Sequence, residues 1–523
     1  MDFETFKDTI LGLKDSEQIN DYLKSIEGDY RKAVTTDHKL GSDPSAIGLD
    51  PLKLENLSAF MASVVADNQT IKLAKRIKSV PTDSNIYEIP RHLSHGDWYG
   101  QYGNFGEQLG LGDNKRTNHD RPRINIKYHV QNREVSIAQS LVKLYGGGNS
   151  SGSIGGVSYN NALQIETTSG LQDMAIIKNK TFWFGNESVD PNACNGILEL
   201  HKRQGAGGAK LNPEDYSKLT TVFDLRGAKL TYGKLNEINR SIMSKWGMAD
   251  TFIGAPSIVD DLSSADLLDF RRLIQDNNKV LDNVTVGQEI TTFKTQLGGR
   301  MDLAWDFHIE RHIEGTGTGE NYGDSWKIGD ANQKIRTDAP AIPNVAAGTN
   351  VPAADALSKF AAGDAGDYFY AVAAVGEWGG QSKLALINAV PATVAAGQSV
   401  DLTFVDGAGA TPTKGYVIYR SLKNAPTSTG YFYPIAEVTV TELANGYDGA
   451  VATKIRDRNR TLTKTQDACM FFNDTRIIHS PELLPITRVP LARIQLSDKF
   501  ALANFYALAM PTPQKIAIVR NIG

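Results

Sequence analysis

The sequence predicts an α+β protein that carries an inserted all-β sandwich domain. Residues 162–180 contain helix-forming residues with a broken 3.6-residue apolar stripe, which predicts one long helix, and short alternating segments before and after it indicate strands. From about residue 315 to residue 474 the composition shifts to Ala, Gly, Thr and Val, and short β-type runs recur between turn signals. A chain of 523 residues is long enough to hold two or more such domains.

The stretch from Ala162 to Gln204 is the most distinctive part of the sequence. Its helical half ends in three consecutive aromatic residues, Phe182 to Phe184, and Gly185-Asn186 then stops the helix. Gly196-Ile197-Leu198 is expected to begin an extended segment. We expect Trp183 to be buried where the helix end packs against a sheet. No residue in this stretch has a pattern typical of catalysis, so the sequence indicates a structural role for it.

A long projecting hairpin is predicted ahead of this helix. Residues 71–87 begin a strand region, residues 134–142 alternate like a returning strand, and residues 91–123 between them are rich in glycine and polar groups. A structureless insertion of that length is unusual within a compact domain. A two-stranded hairpin with its far end near residues 110–123 explains the pattern better. The preceding residues, 1–70, read as an arm of small helices with little core of its own.

Basic residues cluster on the predicted hairpin: Lys115, Arg116, Arg121, Arg123 and Lys127. The cluster is either a solvated surface or a contact with an acidic neighbouring subunit. The net charge of the whole chain is −4, which argues against a protein devoted to binding nucleic acid.

Residues 145–156 predict a flexible joint that contains a G-x-S-x-G match at Ser150. That motif marks the nucleophile of some hydrolases, but low-complexity Gly/Ser sequence produces it by chance. We favour the linker interpretation.

The next part of the chain predicts a helix at residues 232–245 and a strand at residues 250–253. The apolar stripe of the helix is formed by Leu235, Ile238, Ile242 and Trp246.

Residues 301–313 alternate like a half-buried strand. Met301, Leu303, Trp305, Phe307, Ile309 and Ile313 would face the core, and Asp302, Asp306, His308, Glu310 and His312 would face solvent. His308, Glu310 and His312 share one face, so a metal is geometrically possible there, but a solvated face is the favoured interpretation. We therefore predict no catalytic residues, no cofactor-binding residues, no metal site and no cofactor.

Several short strands are predicted in the inserted domain, at residues 368–375, 400–405, 415–419, 431–440 and 452–455. Their spacing resembles that of an immunoglobulin-like or fibronectin-like module. The tail, with strands at residues 483–491 and 515–519, is expected to return to the main fold.

The cysteines, the first residues and the apolar runs of the sequence indicate the cellular location that we expect. Cys194 and Cys469 form no disulfide framework and are expected to be reduced thiols. The first residues lack the pattern of a signal peptide, and no apolar run approaches the ~18 residues of a membrane span. We therefore expect a soluble protein made in the cytoplasm.

The order of these parts resembles the major capsid proteins of tailed bacteriophages, which have the Hong Kong 97-type fold. Four features carry the resemblance: the helix ending in Thr181–Asn186 with Ala193–Leu198 after it, the hairpin at about residues 77–134, the segments 250–256 and 288–298, and the closing strand Pro513–Val519. They cover residues 1 to about 313 and about 475 to 523. The inserted domain lies outside the resemblance.

The resemblance implies a division of the chain into family domains. These are an N-terminal arm (1–70), an extended hairpin loop with flanking strands (71–145), a peripheral domain with the spine helix (146–218, completed by 475–500), an axial domain (219–313, completed by the C-terminal strands to 523) and the inserted β-sandwich (314–474).

It also implies a non-enzymatic subunit that self-assembles into the icosahedral shell of a double-stranded DNA phage. Its expected partners are other copies in pentamers and hexamers, then decoration, scaffolding and portal proteins, and packaged DNA contacted non-specifically, with no membrane. The protein would be assembled in the host cytoplasm and located in the virion.

Two other functions fit the residues. One is a hydrolase with an accessory carbohydrate-binding β module, using Ser150 or the face that carries His308 and His312. The other is a surface adhesion protein in which the β module is the active part.

Overall fold

A computed structural model describes residues 71–94, 118–136, 153–154, 157–158, 162–190, 192–202, 221–263, 292–295, 299–310, 325–330, 333, 335, 337–377, 379–425, 430–492 and 497–523. All of them lie in one compact unit, residues 60–523.

The described helices are α1 Leu73–Arg76, α2 Ala162–Phe184, α3 Ile197–Lys202, α4 Tyr232–Ser244, α5 Pro256–Ser263 and α6 Val440–Asn445. Short 3-10 helices cover Phe307–Ile309, Ala362–Asp364 and Pro513–Lys515.

The first twelve described strands are β1 Ser79–Pro81, β2 Ile86–Glu88, β3 Arg91–Ser94, β4 Asn118–Asp120, β5 Arg123–Asn125, β6 Lys127–Ser136, β7 Ser153–Ile154, β8 Val157–Ser158, β9 Thr221–Asp224, β10 Thr251–Gly254, β11 Thr292–Lys294 and β12 Arg300–Trp305. The remaining strands are β13 Asn344–Ala354, β14 Gly366–Tyr368, β15 Tyr370–Gly376, β16 Ala385–Leu386, β17 Ala392–Val394, β18 Gln398–Val405, β19 Thr413–Ser421, β20 Phe432–Thr439, β21 Ile455–Asp457, β22 Gln466–Phe471, β23 Ser480–Pro490, β24 Ser497–Tyr506 and β25 Ala517–Ile522. The mixture of helices and mixed sheets confirms the predicted α+β class.

A six-stranded sheet forms the largest core. Its strand order is β11-β12-β10-β22-β25-β9, with β10 parallel to β12 and β25 parallel to β9. The apolar stripe of helix α4 packs into the core of this sheet, and its residues Leu235, Ile238 and Ile242 are all buried, as predicted. Strand β22 lies within the range 314–474 that the sequence assigns to the inserted domain, yet it pairs with β10 and β25. An inserted domain must therefore end before Gln466.

A four-stranded sheet, β1-β23-β24-β6, carries the long helix α2 on one face. Strand β6 pairs along its whole length with β24, which comes from the tail of the chain. A small apolar core of Val135, Met174, Phe500 and Leu502 lies between helix and sheet. The tail therefore returns to this part of the fold, as the sequence predicts.

The predicted hairpin is confirmed in its described part. Strand β2 pairs antiparallel with β5, and β3 pairs antiparallel with β4. The far end, including Lys115 and Arg116, lies outside the described residues.

Residues 344–457 form a β module with its own core. One sheet has the order β13-β18-β21, another has the order β16-β15-β19-β20, and β14 pairs with β17. The buried Arg420 side chain donates to Asp457, Asn459 and the Thr461 carbonyl at 2.7–3.0 Å. Four of the five predicted short strands are present in this module. The fifth, predicted at residues 452–455, is a turn that leads into β21, which begins only at Ile455. The classification of the module as immunoglobulin-like stays a prediction.

Three local predictions are wrong for identifiable reasons. Gly196–Leu198 is not extended, because α3 begins at Ile197 and the Leu200 N–H donates to the Gly196 carbonyl. The strand predicted over residues 301–313 ends at Trp305, where the Asp306 side chain caps a 3-10 helix. Trp246 does not continue the stripe of α4, because the chain leaves the helix in the left-handed region at φ 60° and leaves this side chain 83% exposed.

Candidate functional site

The end of helix α2 is buried and closely packed. The helix continues through the aromatic cluster to Phe184, and both Phe182 and Trp183 are fully buried. The Gly185 N–H donates to the Thr181 carbonyl, and the Gly196 N–H donates to the Gly185 carbonyl at 2.8 Å. The two glycines thus hold the loop after the helix directly against the last helical turn.

We expect Gly185→Ala to disrupt this loop. A Cβ atom at residue 185 would lie 2.0 Å from the Cys194 carbonyl oxygen and 2.6 Å from the Thr181 carbonyl oxygen. Backbone atoms cannot move aside as a flexible side chain can, so we expect a loss of unfolding free energy of at least about 3 kcal/mol. Gly233→Ala is the matched control, because nothing lies within 4 Å of its Cβ position. Urea denaturation of both variants measures the difference, and equal stability would contradict the close approach.

Asp306 lies beside Trp183 and is a fully buried carboxylate. It accepts two hydrogen bonds from the Asn179 amide, at 2.9 and 3.0 Å, and a longer one from the Trp183 indole N–H at 3.4 Å. Both donors belong to α2, whereas Asp306 directly follows β12 of the six-stranded sheet. One carboxylate therefore fixes the long helix to that sheet.

The same carboxylate also binds the segment that leads into the hairpin. It accepts from the backbone N–H groups of Leu73 at 3.0 Å and Lys72 at 3.3 Å, and from the His308 N–H at 2.9 Å. The Asn179 side chain completes the junction, because its Oδ1 accepts from the Ala74 N–H at 2.9 Å. A buried charge is tolerated when hydrogen bonds replace its lost hydration. Asp306 thus joins three segments that are far apart in the sequence.

Ion pairs hold the rest of α2 against the four-stranded sheet. Lys178 pairs with Glu482, and Arg133 pairs with Glu166 and Asp173 at 3.3 Å each. Near the middle of the helix, Gly170 allows an approach so close that a Cβ there would lie 2.4 Å from Leu502 Cδ1. The helix is therefore positioned along most of its length.

The root of the hairpin is fixed by an aromatic contact. The Tyr87 hydroxyl oxygen on β2 lies 3.1 Å from His479 Nε2. The two rings meet edge to face, with their centroids 5.5 Å apart. Because His479 Nδ1 lies 2.6 Å from the Thr475 carbonyl oxygen, Nδ1 carries the proton and Nε2 accepts from the tyrosine hydroxyl. This contact joins β2 to the residue that directly precedes β23.

The predicted basic cluster is only partly available to another molecule. Arg121 and Arg123 are exposed but both pair with Glu88 of the opposite strand. Lys127 is only 14% exposed and pairs with Glu187 at 2.8 Å. Lys127 therefore does not project from the hairpin as the sequence predicts.

A polar network connects the β module to the six-stranded sheet. The Arg226 guanidinium donates to the carbonyl oxygens of Asn459 and Lys359 and pairs with Asp364 at 3.0 Å. Asp224 at the end of β9 accepts from the Asn521 amide at 2.8 Å, and Lys359 lies 3.3 Å from Asp224. These contacts hold the module in one orientation on the body.

Burial shifts the pKa of both cysteine thiols. It raises the pKa of the Cys194 thiol to about 12 and raises the pKa of the Cys469 thiol as well. Both cysteines are free, as predicted, and both are buried, so their thiols stay protonated at neutral pH. Burial also lowers the pKa of His308 and raises that of Glu310.

His129 on β6 faces α2 and stacks on Tyr506 with ring centroids 4.8 Å apart. Burial lowers its pKa from 6.5 to about 4. We expect the unfolding free energy to fall by up to about 3 kcal/mol as the pH drops from 6.5 to about 4, because the unfolded chain takes up this proton first. His129→Gln removes that dependence, so urea denaturation at several pH values should give a flatter curve for the variant. Parallel curves for both proteins would contradict the burial of a neutral imidazole.

The residues considered for catalysis do not assemble in the described structure. His308 is buried in a 3-10 helix and is not on a wet strand face, while His312 and Ser150 lie outside the described residues. Among the described residues no group of three or more His, Cys, Asp or Glu side chains is placed to hold a metal ion. Within the same residues, no helix combines the length and apolarity that crossing a bilayer requires.

Comparison with known proteins gives a relationship along nearly the whole chain. No protein-family model matches the chain. It is 22% identical over 501 residues to the major capsid proteins of Staphylococcus phage S25-3 and Staphylococcus phage K, and 23% identical over 503 residues to a putative major capsid protein of Enterococcus phage phiEF24C. Each alignment covers 96% of both chains. The chain is related to the major capsid proteins of phages.

Solved capsid structures align along most of this chain, but with low structural similarity and low sequence identity. The capsid of a native GTA particle aligns over 92% of this chain and 100% of its own, with 8% identity and a TM-score of 0.42. The capsid of cyanophage P-SCSP1u aligns over 93% and 98%, with 8% identity and a TM-score of 0.41. The capsid-protein relationship therefore rests on the full-length sequence alignments, and the predicted resemblance is confirmed.

The buried junction around Asp306 is the candidate site of this chain, because it joins three distant segments. The sequence places Asp306 on a solvent-exposed strand face and gives Asn179 and Arg226 no role. Asn179 lies on the same helix face as Ile176, Phe182 and Trp183, and a polar residue on an apolar face is the one signal that indicates a buried partner.

Proposed function

We propose that this protein is the structural subunit of a tailed-phage head and that it self-assembles into the icosahedral shell. The observation that carries this proposal is the sequence relationship to phage major capsid proteins over 96% of both chains. A similarity of that extent includes the regions before and after the β module, so it is not the similarity of one shared domain.

The buried junction supports the role of a rigid wedge. A shell subunit transmits force between neighbours and must keep its shape while it does so. Asp306 joins the six-stranded sheet, helix α2 and the start of the hairpin segment, and each attachment is buried. Such a fixed centre lets many copies use the same contact surfaces, which closed symmetric assemblies require.

We infer that the subunits associate as pentamers and hexamers, with the hairpin reaching a neighbouring copy. Arg121 and Arg123 are exposed but both pair with Glu88, so we propose that they meet an acidic surface on that neighbour by sharing this partner. Decoration, scaffolding and portal proteins are proposed as further partners. Packaged DNA is proposed to be contacted weakly and non-specifically, in keeping with the net charge of −4.

We further propose that the protein has no enzymatic activity and no resident cofactor. The domain division given above is retained as a proposal, with the inserted β-sandwich ending before Gln466 because β22 belongs to the six-stranded sheet. The Arg226 network supports a β module displayed in one fixed orientation, as a surface domain rather than a tethered one.

Size-exclusion chromatography and negative-stain electron microscopy of the purified chain test this proposal. We expect rings, sheets or closed shells. A persistent monomer with esterase or metal-dependent hydrolase activity would contradict the shell function and favour the hydrolase alternative.

A further inference from the structure

The four-stranded sheet that carries α2 turns its second face to solvent. On β6 the Gln131 side chain donates to Asp173 of α2, and His129, two residues earlier, lies on the same face. Because side chains alternate along a strand, Tyr128 and Val130 point to the opposite face, where they are 47% and 56% exposed. This part of β6 therefore presents polar side chains to the helix and apolar ones to solvent. In an antiparallel sheet with one covered face the usual arrangement is the reverse.

The apolar surface continues across the neighbouring strands, because directly opposite residues of an antiparallel pair share a face. Phe505 on β24 is opposite Tyr128, and the two rings meet edge to face with centroids 4.6 Å apart. Ala501 lies four residues before Phe505 on the same face, and Val489 on β23, opposite Ala501, is 41% exposed. We call this surface the outer face, and it consists of Tyr128, Val130, Val489, Ala501, Ala503 and Phe505.

The size of the outer face fits a protein partner. The 10 residues of β6 extend about 33 Å, and three long strands side by side span about 14 Å, which gives a surface of roughly 500 Å². Small molecules bind in concave pockets, whereas the face of a sheet is broad. Stable protein–protein interfaces bury about 800 Å² on each partner. A partner of the outer face must therefore also contact residues beyond it, as a chain of 523 residues is able to do.

We propose that the outer face is a contact surface for a second copy of this chain. This inference rests on the proposed function, because a subunit of a closed shell is surrounded by copies of itself. At the other end of β6, Glu134 is directly opposite Lys499 and pairs with it at 3.3 Å on the same face. The surface thus has an apolar part and a charged border, an arrangement that is common at protein–protein interfaces. Contact with a neighbouring copy removes the apolar side chains from water and so stabilises the assembly.

Thiol labelling of the full-length chain tests this contact. Cys194 and Cys469 are both buried, so Val130→Cys introduces a single accessible thiol on the outer face. Val351→Cys is the matched control, because Val351 is 54% exposed within β13 of the β module. We expect a maleimide to label Val130→Cys at least about tenfold more slowly in the assembled fractions from size-exclusion chromatography than in the monomer fraction. Val351→Cys should be labelled equally fast in both fractions.

The labelling result also identifies what covers the outer face. Protection of Val130→Cys in the monomer fraction would show that another segment of the same chain covers it. Equally fast labelling in monomers and assemblies would show that no second copy covers it. Either result would overturn the inference while leaving the shell function intact, whereas a wild-type chain that forms no assembly would contradict both.

A charge placed on the outer face gives a second readout. Val130→Lys should unfold at the same urea concentration as the wild type, because the side chain at this position is exposed in the single chain. Its assembled fraction should fall at least about tenfold, because assembly would bury an unpaired ammonium group. Val351→Lys adds the same charge at a similar exposure and should assemble as the wild type does. If Val130→Lys assembles to the extent of Val351→Lys, the outer face is not a contact between copies.

Discussion

Asp306→Ala is expected to lower the unfolding free energy by at least about 4 kcal/mol. The substitution leaves the Asn179 amide, the Trp183 indole N–H and the backbone N–H groups of Leu73 and His308 buried without their acceptor. Each buried donor left unpaired costs about 1–3 kcal/mol. Urea denaturation of the unassembled chain, followed by circular dichroism, measures the loss.

Two further variants make this result specific to the junction. Asp302→Ala removes a carboxylate from an exposed position of β12, the strand that ends just before Asp306, and should change stability by less than about 0.5 kcal/mol. Asp306→Asn keeps the shape and one acceptor oxygen but turns an amide N–H₂ toward N–H donors, so its effect should lie between those of the two alanine variants. If Asp306→Ala were as stable as Asp302→Ala, the carboxylate would not be the junction described here.

Trp183→Ala is expected to cost about 3–5 kcal/mol, the second largest effect. The Trp183 side chain is fully buried in the largest core, beside Phe182 and Cys194, so its removal leaves a cavity that the glycine-fixed loop cannot fill. The same denaturation experiment measures this loss, and fewer shells should form in the assembly assay.

Trp246→Ala is the matched control for this prediction. Trp246 is 83% exposed, and its replacement should leave stability within about 0.5 kcal/mol of the wild type. A Trp183 variant as stable as the Trp246 variant would show that the end of α2 is not packed as described.

The sequence predicts helix α4 and the strands of the β module well, because their apolar side chains recur with the period of the element and mark the buried faces. Helix α2 has only a broken apolar stripe, and its run of helix-forming residues predicts it instead. Periodicity does not predict that the Arg420 side chain is buried. Its charge is met by Asp457 and Asn459, which lie about forty residues further along the chain and give no local signal.

The junction residues were missed for a related reason. Asp306 falls on the polar side of an alternating pattern, and periodicity alone assigns such a residue to solvent. The strand in fact ends one residue earlier, and the carboxylate turns inward to donors supplied by Leu73 and Asn179. Donors from remote segments cannot be paired with their acceptor until the topology is known.

The placement of the last strands has a consequence for synthesis of the protein on the ribosome. Strand β24 lies between β23 and β6, and β25 lies between β22 and β9, so each late strand completes a sheet begun hundreds of residues earlier. Until residues 497–522 have emerged, β6 and β9 lack these partners and the nascent chain cannot finish either sheet. Contacts so distant in sequence form late in folding. A prematurely terminated chain would therefore lack a finished wedge, which would keep incomplete subunits out of a growing shell.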